Sequence, residues 1–245
     1  MAAPTRTDNY SNGYGGYKGS RSPVAEAFRV LRANLQFAAV DRELKVILVT
    51  SASPNEGKST VAQYLAQSIS QTGKKVMALD TDLINPTLHL RFGIANQRGL
   101  SNLIVGDADF TLAAHIQEYP NLSVITSGPI PPNSSELLGS ARMKHLMDRL
   151  REEYDVIIMD APPIIPVTDA AVASSLADGV ILVVQAGRTR TGEVRHAQEV
   201  LESAHANLLG VALNRAHRQV DDYHTRTYTV YSTEPAKPEE RPPTP

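Results

Sequence analysis

The chain has 245 residues, with 24 Lys+Arg against 26 Asp+Glu, a formal net charge of −2 and no cysteine. That length suits one α/β domain, and the missing thiols exclude disulfides and thiolate metal sites. The near-neutral balance, with a pI of about 6.4, gives no basis for non-specific attraction to nucleic acid or anionic lipid. No apolar run approaches the roughly 20 residues that span a bilayer, and Met1-Ala-Ala-Pro-Thr-Arg6 lacks the apolar core of a signal peptide. The expectation is a soluble, cytoplasmic chain without direct membrane insertion or a nucleic-acid partner.

Residues 1–22 hold four glycines and three tyrosines among small polar residues, without an apolar period, and read as a disordered N-terminal arm. Ser22 followed by Pro23 is a helix N-cap and first-turn proline, which predicts a helix over 24–38. Beyond it, short β-rich runs at 45–50, 75–80, 122–126, 155–160, 179–185 and 208–214 alternate with helical patterns. The predicted helices are 58–72, 100–105, 134–153, 168–177 and 192–206. Apolar strands separated by helices indicate a doubly wound, mostly parallel α/β sheet covered on both faces, with ligand at the strand C-terminal ends. Residues 23–216 form this domain. From 217 to 245 the apolar period is lost and Pro and Glu accumulate, the pattern of a second flexible tail.

The run Val46-Ile-Leu-Val49 leads into Thr50-Ser-Ala-Ser-Pro-Asn-Glu-Gly-Lys-Ser-Thr60, a strand, a tight loop and a helix start. This is the relaxed form of the phosphate-binding loop G-x-x-x-x-G-K-[ST], with Ala52 at the first glycine. Backbone N–H groups of Ser53, Asn55, Glu56, Gly57, Lys58, Ser59 and Thr60 would face phosphate oxygens, aided by the helix N-terminus. Lys58 would reach the β/γ-phosphates of ATP and the Ser59 hydroxyl would sit on Mg²⁺. Asparagine tolerates left-handed backbone, so Asn55 suits a tight turn in this loop.

Two further strands end in acid: Val76-Met-Ala-Leu79 leads to Asp80-Thr81-Asp82, and Val156-Ile-Ile-Met159 to Asp160-Ala-Pro-Pro163. A lone acid after an apolar strand is ordinarily a helix cap or turn residue. Beside a phosphate loop, such carboxylates can bind Mg²⁺ or take a proton from an attacking hydroxyl.

These stretches resemble the bacterial tyrosine kinases, P-loop NTPases of the MinD/ParA-like branch that act in capsule and exopolysaccharide synthesis. The loop at 50–60 is similar to their Walker A, Leu79–Leu83 to Walker A′, and Ile157–Pro163 with Val167-Thr-Asp169 to Walker B. Glu26, Arg29 and Arg32 match their E-x-x-R-x-x-R helix, and Tyr223, Tyr228 and Tyr231 sit where the family carries a tyrosine cluster. The resemblance implies Lys58, Asp80 and Asp82 as catalytic residues, with Asp80 as the base. It implies Ser59, Asp82 and Asp160 in the metal shell and Asn214 with Arg215 at adenine. It further implies autophosphorylation of the tyrosine cluster in trans, a ring-like homo-oligomer through Glu26, Arg29 and Arg32, and a separate membrane activator that recruits the chain to the inner face of the plasma membrane. One departure stands out: the family's D-x-D-x-R arginine is Ile84 here. Two other readings share the fold, a ParA/MinD-like positioning ATPase and a non-catalytic nucleotide switch of polysaccharide export. The first expects a second lysine early in the loop, where this chain has Ser53.

Overall fold

Alternate apolar residues along the strands face opposite sides of one sheet and so divide the core in two. The computed structural model describes residues 22–38, 43–106 and 114–216. The predicted arm and tail, with Tyr10, Tyr14, Tyr17, Tyr223, Tyr228 and Tyr231, lie outside the described residues. In chain order the elements are α1 (Pro23–Ala38), β1 (Val46–Ser51), α2 (Lys58–Ser70), β2 (Val76–Asp80), α3 (Leu88–Phe92), α4 (Leu100–Val105), β3 (Ala114–His115) and β4 (Leu122–Ile125). There follow α5 (Ser134–Leu138), α6 (Ala141–Glu153), β5 (Val156–Asp160), α7 (Asp169–Ser174), β6 (Gly179–Gln185), α8 (Thr191–Ser203) and β7 (Leu208–Asn214).

The sheet order is β3-β4-β2-β5-β1-β6-β7. All neighbouring pairs are parallel except the short edge pair of β3 with β4. Ile47, Val49, Ala78, Ile158 and Ile181 pack on one face with Val61, Leu65 and Ile69 of α2 and Leu35 of α1. Leu48, Leu79, Ile157, Met159 and Leu182 pack on the other with Leu146 and Leu150 of α6 and Ala197 and Leu201 of α8. Central strands buried on both faces read as continuous apolar runs, which is why the sequence located them closely.

Ser22 caps α1 as predicted, its hydroxyl accepting the Ala25 N–H at 3.0 Å. Phe28 meets Tyr64 of α2 edge-on, with ring centroids 5.2 Å apart. The helix expected over 134–153 is a correction: it breaks at Gly139 and Ser140. There the Ser140 hydroxyl accepts the Met143 N–H at 3.2 Å and starts α6 afresh. The helix expected over 168–177 is regular only across Asp169–Ser174. The sequence pattern reveals neither α3 nor β3, because five and two residues are too few to show a period.

At the N-terminal end of the strands, Asp178 fastens three elements together. It accepts the Lys45 and Val46 N–H groups at 2.9 and 2.6 Å and takes both Arg151 nitrogens at 2.8 and 3.1 Å. Burial alone would raise its pKa, but the Arg151 guanidinium and these N–H donors outweigh burial and bring it below the usual carboxylate range. The ionised contact therefore stabilises the fold above the ordinary aspartate pKa and is lost as pH falls through the depressed folded value. Asp178→Ala should cost about 2–3 kcal/mol at neutral pH, read by urea unfolding, and the gap from wild type should close on acidification. A gap independent of pH would contradict the assignment.

Candidate active site

Parallel register makes the first part of the site. In neighbouring strands β2 and β5, Asp80 lies opposite Asp160, and on the other side of β5, Val49 of β1 also lies opposite Asp160. Both carboxylates and the loop that follows β1 therefore emerge together at the strand C-terminal ends. The exit from β5 is strapped to β1. Ala161 N–H donates to the Val49 carbonyl at 3.0 Å, Ile164 N–H to that of Ser51 at 2.8 Å, and the Thr50 hydroxyl to that of Pro162 at 2.6 Å.

The loop itself turns through left-handed backbone at Asn55 (φ 66°) and Gly57 (φ 97°). Asparagine and glycine are the residues that adopt this conformation at least cost. A Cβ at Gly57 would also lie 2.0 Å from Asn214 Nδ2. Glu56, only 2% exposed, braces the turn: one carboxylate oxygen accepts the Ser53 N–H at 3.0 Å and the other accepts the Thr189 hydroxyl. Thr189 in turn accepts the Gln185 N–H at 2.8 Å. Asn214 Nδ2 donates to the Glu56 carbonyl at 2.8 Å, while its Oδ1 accepts the Arg215 N–H at 2.9 Å. Arg215 donates to Gln185 Oε1 at 3.0 Å. Asn214 and Arg215, expected at adenine, thus tie the ends of β6 and β7 to the phosphate loop.

Lys58 lies at the centre. Its Nζ is 2.7 Å from Asp82 Oδ2, 3.6 Å from Asp160 Oδ1 and 3.3 Å from the Ser59 hydroxyl. Burial works to lower its pKa, but Asp160, Asp82 and Asp80 together outweigh burial and raise it, so the ammonium stays charged. Asp80 is fully buried; its Oδ1 accepts the Asp82 N–H at 3.2 Å and its Oδ2 the Leu88 N–H at 3.1 Å. Burial, then the neighbouring Asp160 charge, push its pKa well above the usual carboxylate range. Asp82 Oδ1 accepts the Ile84 and Asn85 N–H groups at 3.3 and 2.8 Å, leaving Oδ2 to Lys58.

Asp160 is the orphan of the group. Burial raises its pKa against the pull of Lys58 and the nearby Ser59 hydroxyl, yet neither oxygen meets hydrogen-bond geometry with any partner. Two buried acceptors outside hydrogen-bond geometry, beside a serine hydroxyl and a phosphate loop, fit a divalent cation shared with phosphate oxygens. Among the described residues no three His, Asp or Glu side chains form a complete metal-ligand set. Mg²⁺ ordinarily takes one or two carboxylates and completes its shell with phosphate and water.

On α1 the predicted stripe divides. Glu26 and Arg29 pair on the surface, whereas Arg32 turns inward and donates to the carbonyl and hydroxyl of Ser68 on α2.

A family model for the AAA domain matches residues 44–206. Over 194 residues the chain is 42% identical to tyrosine-protein kinase YwqD of Bacillus subtilis, covering 79% of this chain and 82% of that one. The chain belongs to the bacterial tyrosine-protein kinases. It is also 36% identical over 199 residues to tyrosine-protein kinase CpsD of Streptococcus agalactiae, covering 81% of this chain and 86% of the relative. The solved chimerical protein CapA2B2 superposes on this kinase with a TM-score of 0.79 at 38% identity, over 82% of this chain and 88% of that one. The septum site-determining protein MinD of Pyrococcus horikoshii shares the P-loop fold at a TM-score of 0.60 and 23% identity, over 75% of this chain and 76% of its own.

The brace was not legible in the sequence, since Glu56 and Thr189 lie 133 positions apart. Removing it leaves a partly buried N–H and a partly buried hydroxyl without acceptors. Glu56→Ala should therefore cost about 2–3 kcal/mol. Combined with Thr189→Val in a double-mutant cycle, it should show a coupling of roughly 1–3 kcal/mol. Strict additivity in urea unfolding would refute the link.

Proposed function

We propose that the chain binds ATP with Mg²⁺ at the loop of residues 53–60 and phosphorylates Tyr223, Tyr228 and Tyr231 of a neighbouring copy, thereby regulating capsular or exopolysaccharide synthesis and export. The observation that carries this reading is the convergence of Lys58, Ser59, Asp80, Asp82 and Asp160 at one sheet edge. ATP supplies the γ-phosphoryl group and Mg²⁺ offsets its charge. Lys58 would leave Asp82 for the β/γ-phosphates, and Ser59, Asp82 and Asp160 would hold the cation.

Asp80 suits the role of base. Burial and the Asp160 charge raise its pKa well above the usual carboxylate range, which increases its affinity for a proton. In the reaction the tyrosine oxygen forms a bond to γ-phosphorus, the bond to the β-phosphate oxygen breaks, and the phenol proton passes to Asp80. Asn214 and Arg215 flank the loop where adenine would lie.

Trans phosphorylation requires assembly. Of the α1 stripe, Glu26 and Arg29 face outward and would serve the ring, while Arg32 is held by Ser68. A separate membrane activator, recruiting the kinase to the inner face of the plasma membrane, completes the proposal. Among the described residues no helix is long and apolar enough to cross a membrane.

The test is phosphosite mapping by mass spectrometry on wild type, Lys58→Met and Asp80→Asn incubated with Mg²⁺ and ATP. Phosphate should appear on Tyr223, Tyr228 or Tyr231 in wild type, vanish in Lys58→Met and fall by roughly 100-fold or more in Asp80→Asn. Unmodified tails in a wild type that binds ATP would replace this reading with the nucleotide switch, which the loss of arginine at Ile84 favours.

A further inference from the structure

Asp80, Asp82 and Asp160 are all buried, and Lys58 is the cation that contacts two of them. A triphosphate brought to that edge adds negative charge to a cluster that already holds three carboxylates. Position 84, where the family pattern carries arginine, is isoleucine, and its backbone N–H simply supports Asp82. A second cation, if the chain has one, must come from another element.

Helix α3 is fastened at one end to the cluster and at the other to α2. The N–H of its first residue, Leu88, donates to Asp80 Oδ2 at 3.1 Å. Gln63 of α2, the helix that follows the phosphate loop, donates to the Arg91 carbonyl at 3.3 Å. Leu88 and Arg91 are three apart and so share a helix face. Buried polar atoms without partners gather on this short segment: Thr87 Oγ1, His89 Nδ1 and Arg91 Nε, together with both carboxylate oxygens of Asp160. Buried polar groups are nearly always satisfied, so these atoms, on the segment whose first N–H holds Asp80, mark a place for a polar ligand. Burial raises the Asp160 pKa, Lys58 draws it back, and the Arg91 charge adds to that pull.

We propose that Arg91 supplies the second cation of the phosphate site and acts on the terminal phosphate of the bound triphosphate. The proposal rests on the reading of residues 53–60 as the ATP site. It assigns to α3 the electrostatic contribution that an arginine at position 84 would make. A fixed cation near the transferring group stabilises charge that develops in the transition state without reorganisation. It also separates a triphosphate from a diphosphate, because the diphosphate lacks the γ-phosphate that it would meet.

The experiment compares full-length wild type, Arg91→Leu, Arg91→Lys and the double variant Arg91→Leu/Ile84→Arg. Each is titrated in Mg²⁺ with fluorescent ADP and with a fluorescent non-hydrolysable ATP analogue, and phosphotransfer is followed in parallel. Arg91→Leu should lose roughly 10-fold or more in affinity for the triphosphate while ADP binding stays near wild type. Its phosphotransfer should fall by roughly 100-fold. Arg91→Lys should lie between, and Ile84→Arg should recover the triphosphate preference. An unchanged triphosphate-to-diphosphate affinity ratio in Arg91→Leu would overturn the proposal, as would equal loss of both nucleotides in Arg91→Leu and Arg91→Lys, the mark of a purely structural arginine. A wild type that binds neither nucleotide would instead overturn the ATP-site reading beneath it.

Discussion

One ammonium buried among three carboxylates is the constraint on which the rest of this kinase depends. Taking Lys58 and its acidic neighbours out of water carries a desolvation cost of several kcal/mol per ion, even after relaxation. Their mutual attraction offsets it only if the geometry is held. The fold supplies that geometry through parallel register, which sets Asp80 against Asp160, and through a phosphate loop that delivers Lys58 to within 2.7 Å of Asp82. Charge remains unbalanced, with Asp160 ion-paired to Lys58 at 3.6 Å but outside hydrogen-bond geometry. A cluster that is strained in this sense when alone is suited to receive a cation and phosphates.

The loop that carries Lys58 is not free-standing. Glu56 links it to Thr189 after β6, and Asn214 at the end of β7 closes against Gly57. Three strand ends are therefore tied together at the site. This explains why glycine is required at position 57 twice over, once for its φ and once for the approach of Asn214. It also places Asn214, expected on the adenine side, in direct contact with the phosphate-side loop.

Most of the fold was legible because the central strands are buried on both faces, and continuous apolar runs set between helical periods are the mark of a covered parallel sheet. Lys58, Ser59, Asp80, Asp82 and Asp160 were legible for a related reason: each lies just beyond such a run, and topology brings their ends together. What the sequence withheld depends on contacts between distant positions or on elements too short to show a period. The brace of Glu56 with Thr189 is of the first kind, and α3 with Arg91 is of the second. The division of the 134–153 helix at Gly139 turned on a serine cap that competes with a continuous apolar pattern. Arg32 illustrates a further limit, since spacing placed it on a stripe with Arg29 but could not reveal that Ser68 would hold it.

A crystal structure of the chain with Mg²⁺ and a non-hydrolysable ATP analogue tests the central claim most directly. The account predicts that Lys58 Nζ exchanges Asp82 for phosphate oxygens, with a metal ion between those phosphates and Asp160. Lys58 still paired with Asp82, and the nucleotide bound away from residues 53–60, would contradict it.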